Sequence, residues 1–143
     1  MPVRKLAIIT VLLALFLAGC ARDDPQAALE SAAQALQDNI ENRDTAALMA
    51  QIHPAFRANQ RLDREWVQRT STLMFLRHRN VRVLALSSDS WIDPDYSNRG
   101  HTEAQVALTG AQGFLPERAG HYQARLEWWL EDGEWLLARL EWD

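Results

Sequence analysis

HYQARLEWWLEDGEWLLARLEW, residues 121–142, is the stretch that decides the fold. Two runs that alternate apolar and polar residues, His121 to Glu131 and Glu134 to Trp142, flank Asp132-Gly133, and a period of two is the mark of β-strands. A two-residue type I′ turn needs positive φ at both central positions, which Asp-Gly supplies. The stretch therefore reads as a hairpin in which Glu131 faces Glu134. That register places Ala124, Leu126, Trp128, Leu130, Trp135, Leu137, Arg139 and Glu141 on one face. The other face carries Gln123, Arg125, Glu127, Trp129, Leu136, Ala138, Leu140 and Trp142. Both faces hold large apolar side chains, whereas a sheet with water on one side shows one polar face. A second copy of the chain is the simplest cover, through Trp129, Leu136, Leu140 and Trp142, because a symmetric patch satisfies itself. The alternative is that Trp129 and Trp142 cap a twisted edge.

Two further strands precede the hairpin, Val81 to Trp91 and His101 to Thr109, joined through Pro94 and Asn98 to Gly100. Before Arg79 the period is helical. Asp24-Pro25 reads as an N-cap followed by proline at the first helical position, and Leu29, Ala32, Ala33, Leu36 and Ile40 repeat along one face to about Asn42. Asp44 is expected to cap the start of a second helix that bears Ala47, Leu48 and Ile52 and is closed by Pro54, with His53 capping its end. A third begins at Asp63, with Leu62 and Val67 as a hydrophobic staple. Its apolar face is read as Trp66, Val67, Thr70, Leu73, Met74 and Leu76, with Phe75 opposite. Arg77 falls in the middle of that face, pointing inward if the helix continues and outward if it frays.

The N-terminus has an export layout. Arg4 and Lys5 precede an apolar run from Leu6 to Leu17, broken only by Thr10, and the small residues Ala18 and Gly19 follow. An apolar run of about 12 residues spans roughly 18 Å as a helix, short of the ~30 Å hydrocarbon core. Leu17-Ala18-Gly19-Cys20 resembles the bacterial lipobox, which implies cleavage before Cys20 and acylation of its thiol, palmitate being one of the acyl chains expected. Residues 1–19 are thus expected to be a signal peptide, 20–24 a lipidated tether and 25–143 the folded domain. Ala21 after the cysteine, where aspartate would favour the inner membrane, points to the outer membrane on its periplasmic side. Cys20 is the sole cysteine, so no intramolecular disulfide forms and the fold must stand on its apolar core.

Without residues 1–19 the chain keeps 13 arginines, no lysine and 19 acids, a net charge of −6 that excludes a general nucleic-acid role. The charge is uneven. Residues 57–82 hold seven arginines against Asp63 and Glu65, while residues 83–143 hold four arginines against eleven acids. Either the two regions meet within the fold, or the basic segment faces an anionic ligand or a lipid head group.

Three helices followed by a curved four-stranded antiparallel sheet, with His53-Pro54-Ala55-Phe56 and the Asp132-Gly133-Glu134-Trp135 hairpin, resemble the nuclear transport factor 2-like superfamily, an α+β, cystatin-like cone. The resemblance covers nearly all of the chain after the signal and implies a pocket between helices and concave sheet, with pairing through the sheet's other face. It also implies, where such cones are isomerases or cyclases, carboxylates, a tyrosine or a histidine inside. The pocket candidates here are Trp66, Arg77, Tyr122, Trp128, Trp135 and Arg139. Only Tyr122 fits an isomerase-type oxyanion donor, and no aspartate shares that face of the hairpin. The four histidines (His53, His78, His101 and His121) lack metal-ligand spacing, and no phosphate loop or nucleophile elbow occurs, so no metal, cofactor or catalytic residue is expected. The sequence thus suggests a lipid-anchored, non-catalytic binding or interaction module, pairing with itself or another envelope protein. The alternative is a binder or enzyme that holds a small polar or anionic ligand in the cone.

Overall fold

A computed structural model describes residues 24–109 and 121–143, so the signal segment, Cys20 and most of the tether lie outside the described residues. Among these residues the elements run α1 (Pro25–Glu41), α2 (Thr45–Ala50), β1 (Ile52–Ala58), β2 (Leu62–Asp63), α3 (Arg64–Arg77), β3 (Arg82–Ile92), β4 (Arg99–Thr109), β5 (His121–Glu131) and β6 (Glu134–Trp142). The three helix starts follow the cap chemistry in the sequence. Asp24, Asp44 and Asp63 accept hydrogen bonds from the backbone N–H of Gln26, Ala47 and Trp66, satisfying donors that the first helical turn leaves open.

The sheet has six strands in the order β2-β1-β6-β5-β4-β3 and is mixed, not four-stranded and antiparallel. Of the two added strands, β1 begins in residues expected to end the second helix, and β2 takes Leu62 and Asp63 from the start of the third. α2 stops at Ala50, and Ile52–Ala58 forms β1, parallel to β6, with Ile52 opposite Leu137 and Ala58 opposite Leu140. Pro54 sits where that pairing is irregular, the position in a strand where a missing N–H is tolerated. Ile52, Phe56 and Ala58 turn inward, and their burial outweighs the helical signal of the preceding residues. His53 therefore caps no helix. Its Nδ1 accepts from the Ala55 N–H, and its Nε2 lies 3.2 Å from Glu131.

The terminal hairpin has the expected turn, with φ of 49° at Asp132 and 80° at Gly133 and Glu131 opposite Glu134. Farther along, the register shifts. Trp128 pairs with Leu137 but Glu127 pairs with Arg139, so Ala138 is an extra, fully buried residue in a β-bulge. One extra residue reverses the facing of everything beyond it. Leu140 and Trp142 consequently point into the cone with Leu126 and Ala124, and Arg139 and Glu141 point out, the reverse of the sequence-based faces.

Leu29, Phe56 and Trp128 are fully buried and centre the core between α1 and the sheet. In α3 the buried side is formed by Ser71 and Phe75, with Leu73 and Leu76 exposed, so the helix is rotated from the expected face. Apolar residues surround most of this helix, and periodicity alone does not pick the side that packs.

Candidate functional site

The concave face of the sheet and the three helices enclose a cavity of about 390 Å³. Ala33, Leu36 and Ile40 of α1 form one wall, and Trp66, Val67, Met74 and Phe75 of α3 form another. The floor is Val83 and Ala85 of β3, Ala104 and Val106 of β4, Ala124 and Leu126 of β5, and Leu137, Leu140 and Trp142 of β6. Trp66 and Trp142 stack across it, with ring centroids 6.1 Å apart and planes 17° from parallel. Ala85 and Ser88 line the cavity yet are exposed, so it opens beside β3.

The described wall holds no carboxylate, histidine, lysine or arginine. Its polar members are Gln37, Thr70, Ser71, Ser88, Thr102 and Tyr122. Several are already occupied. Thr102, 3% exposed, accepts a hydrogen bond from Trp128 Nε1 at 3.0 Å and shares another with the Ser90 hydroxyl at 2.8 Å. The Ser71 hydroxyl donates to Gln68 O, and the Gln37 amide donates to Glu41 and to Val83 O. General acid–base catalysis needs a titratable group within about 3 Å of the proton it moves. Tyr122 is the sole ionisable side chain on the described wall.

Of the pocket residues expected from the sequence, Trp66 and Tyr122 lie on the wall. Trp128 and Trp135 are buried in the core behind it, at 0% and 5% exposure. Arg77 is exposed as the last residue of α3. Arg139, reversed by the bulge, is outside; its Cζ lies 4.8 Å above the Trp129 ring and its Nη1 donates to Ala55 O. Of the expected dimer face, Trp129 and Leu136 remain on the outer surface, while Leu140 and Trp142 line the cavity. Trp129 is already flanked there by Arg99, with Cζ 5.0 Å from the ring, and by His53 edge-on at 4.8 Å, and its Nε1 donates to Glu127 at 2.6 Å.

A separate polar cluster sits at the β3–β4 turn. His101 Nε2 is 2.8 Å from Asp93 Oδ2, and Trp91 packs over the histidine ring at 5.6 Å. The hydrogen bond from His101, followed by the N–H groups of Asp95 and Tyr96, holds the Asp93 carboxyl below its ordinary value. No nucleophile stands beside this pair among the residues it touches. Among the described residues no group of three or more His, Cys, Asp and Glu is placed to hold a metal ion, and no helix is long and apolar enough to cross a membrane.

No protein-family model and no curated protein matches the chain. Solved structures do. The chain is similar to Bd1075 of Bdellovibrio bacteriovorus, with a TM-score of 0.68 and 9% identity over 80% of this chain and 40% of that one. It thus spans less than half of that protein. A nuclear transport factor 2-like protein of unknown function from Pseudomonas putida gives a TM-score of 0.66 and 10% identity over 82% of this chain and 84% of that one. A nuclear transport factor 2-like family member from Streptomyces avermitilis, for which dehydratase activity is suggested, gives 0.64 and 13% over 82% and 93%. The domain has the nuclear transport factor 2-like, cystatin-like fold.

Proposed function

We propose that the chain is a non-catalytic binding module whose cone holds the apolar part of a small molecule, and that Cys20 anchors it by lipid to the periplasmic side of the outer membrane. The observation that carries the first part is the wall itself. A cavity of about 390 Å³ lies in the range of small-molecule sites, and a wall whose described residues carry no charge favours hydrocarbon over ionised groups. The same wall weighs against an isomerase, cyclase or dehydratase, whose proton transfers need a base inside the cone. The anchor rests on the lipobox-like Leu17-Ala18-Gly19-Cys20 behind its apolar run.

Titration with the neutral fluorophore N-phenyl-1-naphthylamine tests the cone. One molecule per chain should bind, and Ala85→Trp, at an exposed wall position, should prevent it. An unacylated wild-type chain that binds no apolar probe refutes the reading. Self-association through the outer face is a second, narrower proposal. It rests on Trp129 and Leu136 alone, now that Leu140 and Trp142 belong to the cone.

A further inference from the structure

α1 is tied to β3, the edge strand of the sheet, at two points. Near the start of the helix the Gln26 side-chain amide donates to Ser90 O at 2.7 Å, and farther on the Gln37 amide donates to Val83 O at 3.0 Å. The helix therefore runs antiparallel to the strand. Between the ties stand Ala85 and Ser88, which are exposed and also line the cavity, and Ala33 and Leu36 line it from the helix. The mouth of the cone is thus a slot between α1 and β3 with a glutamine at each end. From Ser88 a row of small side chains leads inward, Ser88 opposite Ala104, Ala104 opposite Ala124 and Ala124 opposite Trp142. Neighbouring strands lie about 4.8 Å apart, so these three steps make a trough of about 14 Å that ends on the stacked Trp142 and Trp66. The chain enters the fold beside the same slot. Asp24 caps α1 two residues before Gln26. Ser88 is two residues, about 7 Å, along β3 from Ser90, and both face the cavity, since the Ser90 hydroxyl meets that of Thr102 on its wall. Cys20 stands four residues before Asp24, a length of chain that extends to about 14 Å and so reaches the slot.

We infer that the cone holds the protein's own lipid: an acyl chain carried by Cys20 enters through the slot between α1 and β3 and lies along the trough toward Trp142. The inference rests on the reading of the cone as a ligand-holding cavity and of Cys20 as acylated, and it names the ligand. A methylene group is about the size of a water molecule, whose share of liquid volume is roughly 30 Å³, so the cavity of about 390 Å³ accepts about a dozen carbons. The described wall carries no charge for an acyl chain to desolvate. Attachment favours this chain over a free one, because a short tether holds its ligand at an effective concentration on the order of 1 mM. The other acyl chains expected on Cys20 stay available to the membrane.

Cys20 is the sole cysteine, so a maleimide added to the unacylated chain from residue 20 onward, which contains every described element, attaches there alone. N-ethylmaleimide gives the cone nothing to hold, and N-dodecylmaleimide gives it a chain of the right length. The ethyl-labelled protein should bind N-phenyl-1-naphthylamine, and the dodecyl-labelled protein should bind it at least about tenfold more weakly. The dodecyl label should also raise Tm, by an amount that stays constant over a roughly tenfold range of protein concentration. Ala85→Trp should block the slot and remove the rise, whereas Leu84→Trp, which alternation turns to the opposite face of β3, should keep it. The label stands in for the natural lipid, so the result is read apart from whether the cell acylates Cys20. Equal probe binding by the two labelled proteins overturns the inference and leaves the cone as a site for a free ligand. A rise in Tm that grows with concentration means that the dodecyl chain enters a second molecule, and this also overturns it. If the ethyl-labelled protein binds no probe and the dodecyl label leaves Tm unchanged, the reading of the cone falls as well.

Discussion

Gly100 offers the sharpest test of how α1 is held against the sheet. It lies near the start of β4, opposite Trp128 on one side and Ile92 on the other. A Cβ at this position would lie 2.7 Å from Leu29 Cδ2, 2.8 Å from Cδ1 and 3.3 Å from Cγ. Carbon atoms in contact sit about 3.5–4.0 Å apart, so the leucine must withdraw by about 1 Å. Leu29 is fully buried. Overpacking of this kind costs about 1–3 kcal/mol, partly offset by the roughly 0.5–1 kcal/mol that alanine gains over glycine in a strand. Gly100→Ala should therefore destabilise by about 1–2 kcal/mol, or about 3–8 °C in Tm. Leu29→Ala alone should cost about 2–5 kcal/mol. The double variant should cost less than the sum, because the new methyl occupies space the leucine vacates. Urea unfolding of the four chains measures all three quantities. Strict additivity, or a Gly100→Ala chain as stable as wild type, would show that α1 does not pack on the sheet through this contact.

The Asp93 carboxyl, held low chiefly by His101, should titrate below the ordinary value of 3.8 in an NMR experiment, and a value at or above it refutes the pairing. A lowered folded pKa contributes stability that is full above the unfolded value and lost as pH falls through the folded one, so Asp93→Asn should flatten part of the acid limb below about pH 4. Cys20→Ser should abolish acylation; globomycin-insensitive processing with membrane attachment in that variant would dismiss the anchor. For the outer face, sedimentation at tens of micromolar should show a dimer that Trp129→Glu dissociates, and a wild-type monomer unaffected by the substitution ends that proposal.

The parts legible in the sequence are those fixed by neighbours in the chain. Asp-Gly sets its own turn, three aspartates set three helix starts, and the four long strands alternate openly. What escaped depends on partners far away. β1 gains its identity from parallel pairing with β6, some eighty residues on, and its His-Pro pair reads locally as a helix end. The bulge at Ala138 leaves no mark on alternation, yet it exchanges Arg139 for Leu140 and Trp142 on the cavity wall. Gly100 reads as part of a turn, but it is a strand residue made glycine by the approach of Leu29. In α3 Trp66, Val67, Thr70 and Met74 face inward as hydrophobicity suggests, but the burial of Phe75 and the exposure of Leu73 and Leu76 rotate the face.

These misplacements bear on specificity. With Arg77 and Arg139 off the wall, and Thr102, Ser71 and the Gln37 amide bonded within the protein, little inside the described cone is left to select a ligand by hydrogen bonds. Discrimination inside must then come from length and shape. Each methylene buried contributes about 0.8 kcal/mol, close to a fourfold gain in affinity. Across a series of alkanoates from eight to sixteen carbons, affinity for the unacylated protein should rise by about that factor per carbon, then level off near a dozen, where the cavity of about 390 Å³ is filled. A slope that continues unbroken to sixteen carbons would place the chain along the outer surface. A slope near zero would mean that the carboxylate alone is bound, and the cone would be a packing defect with no part in recognition.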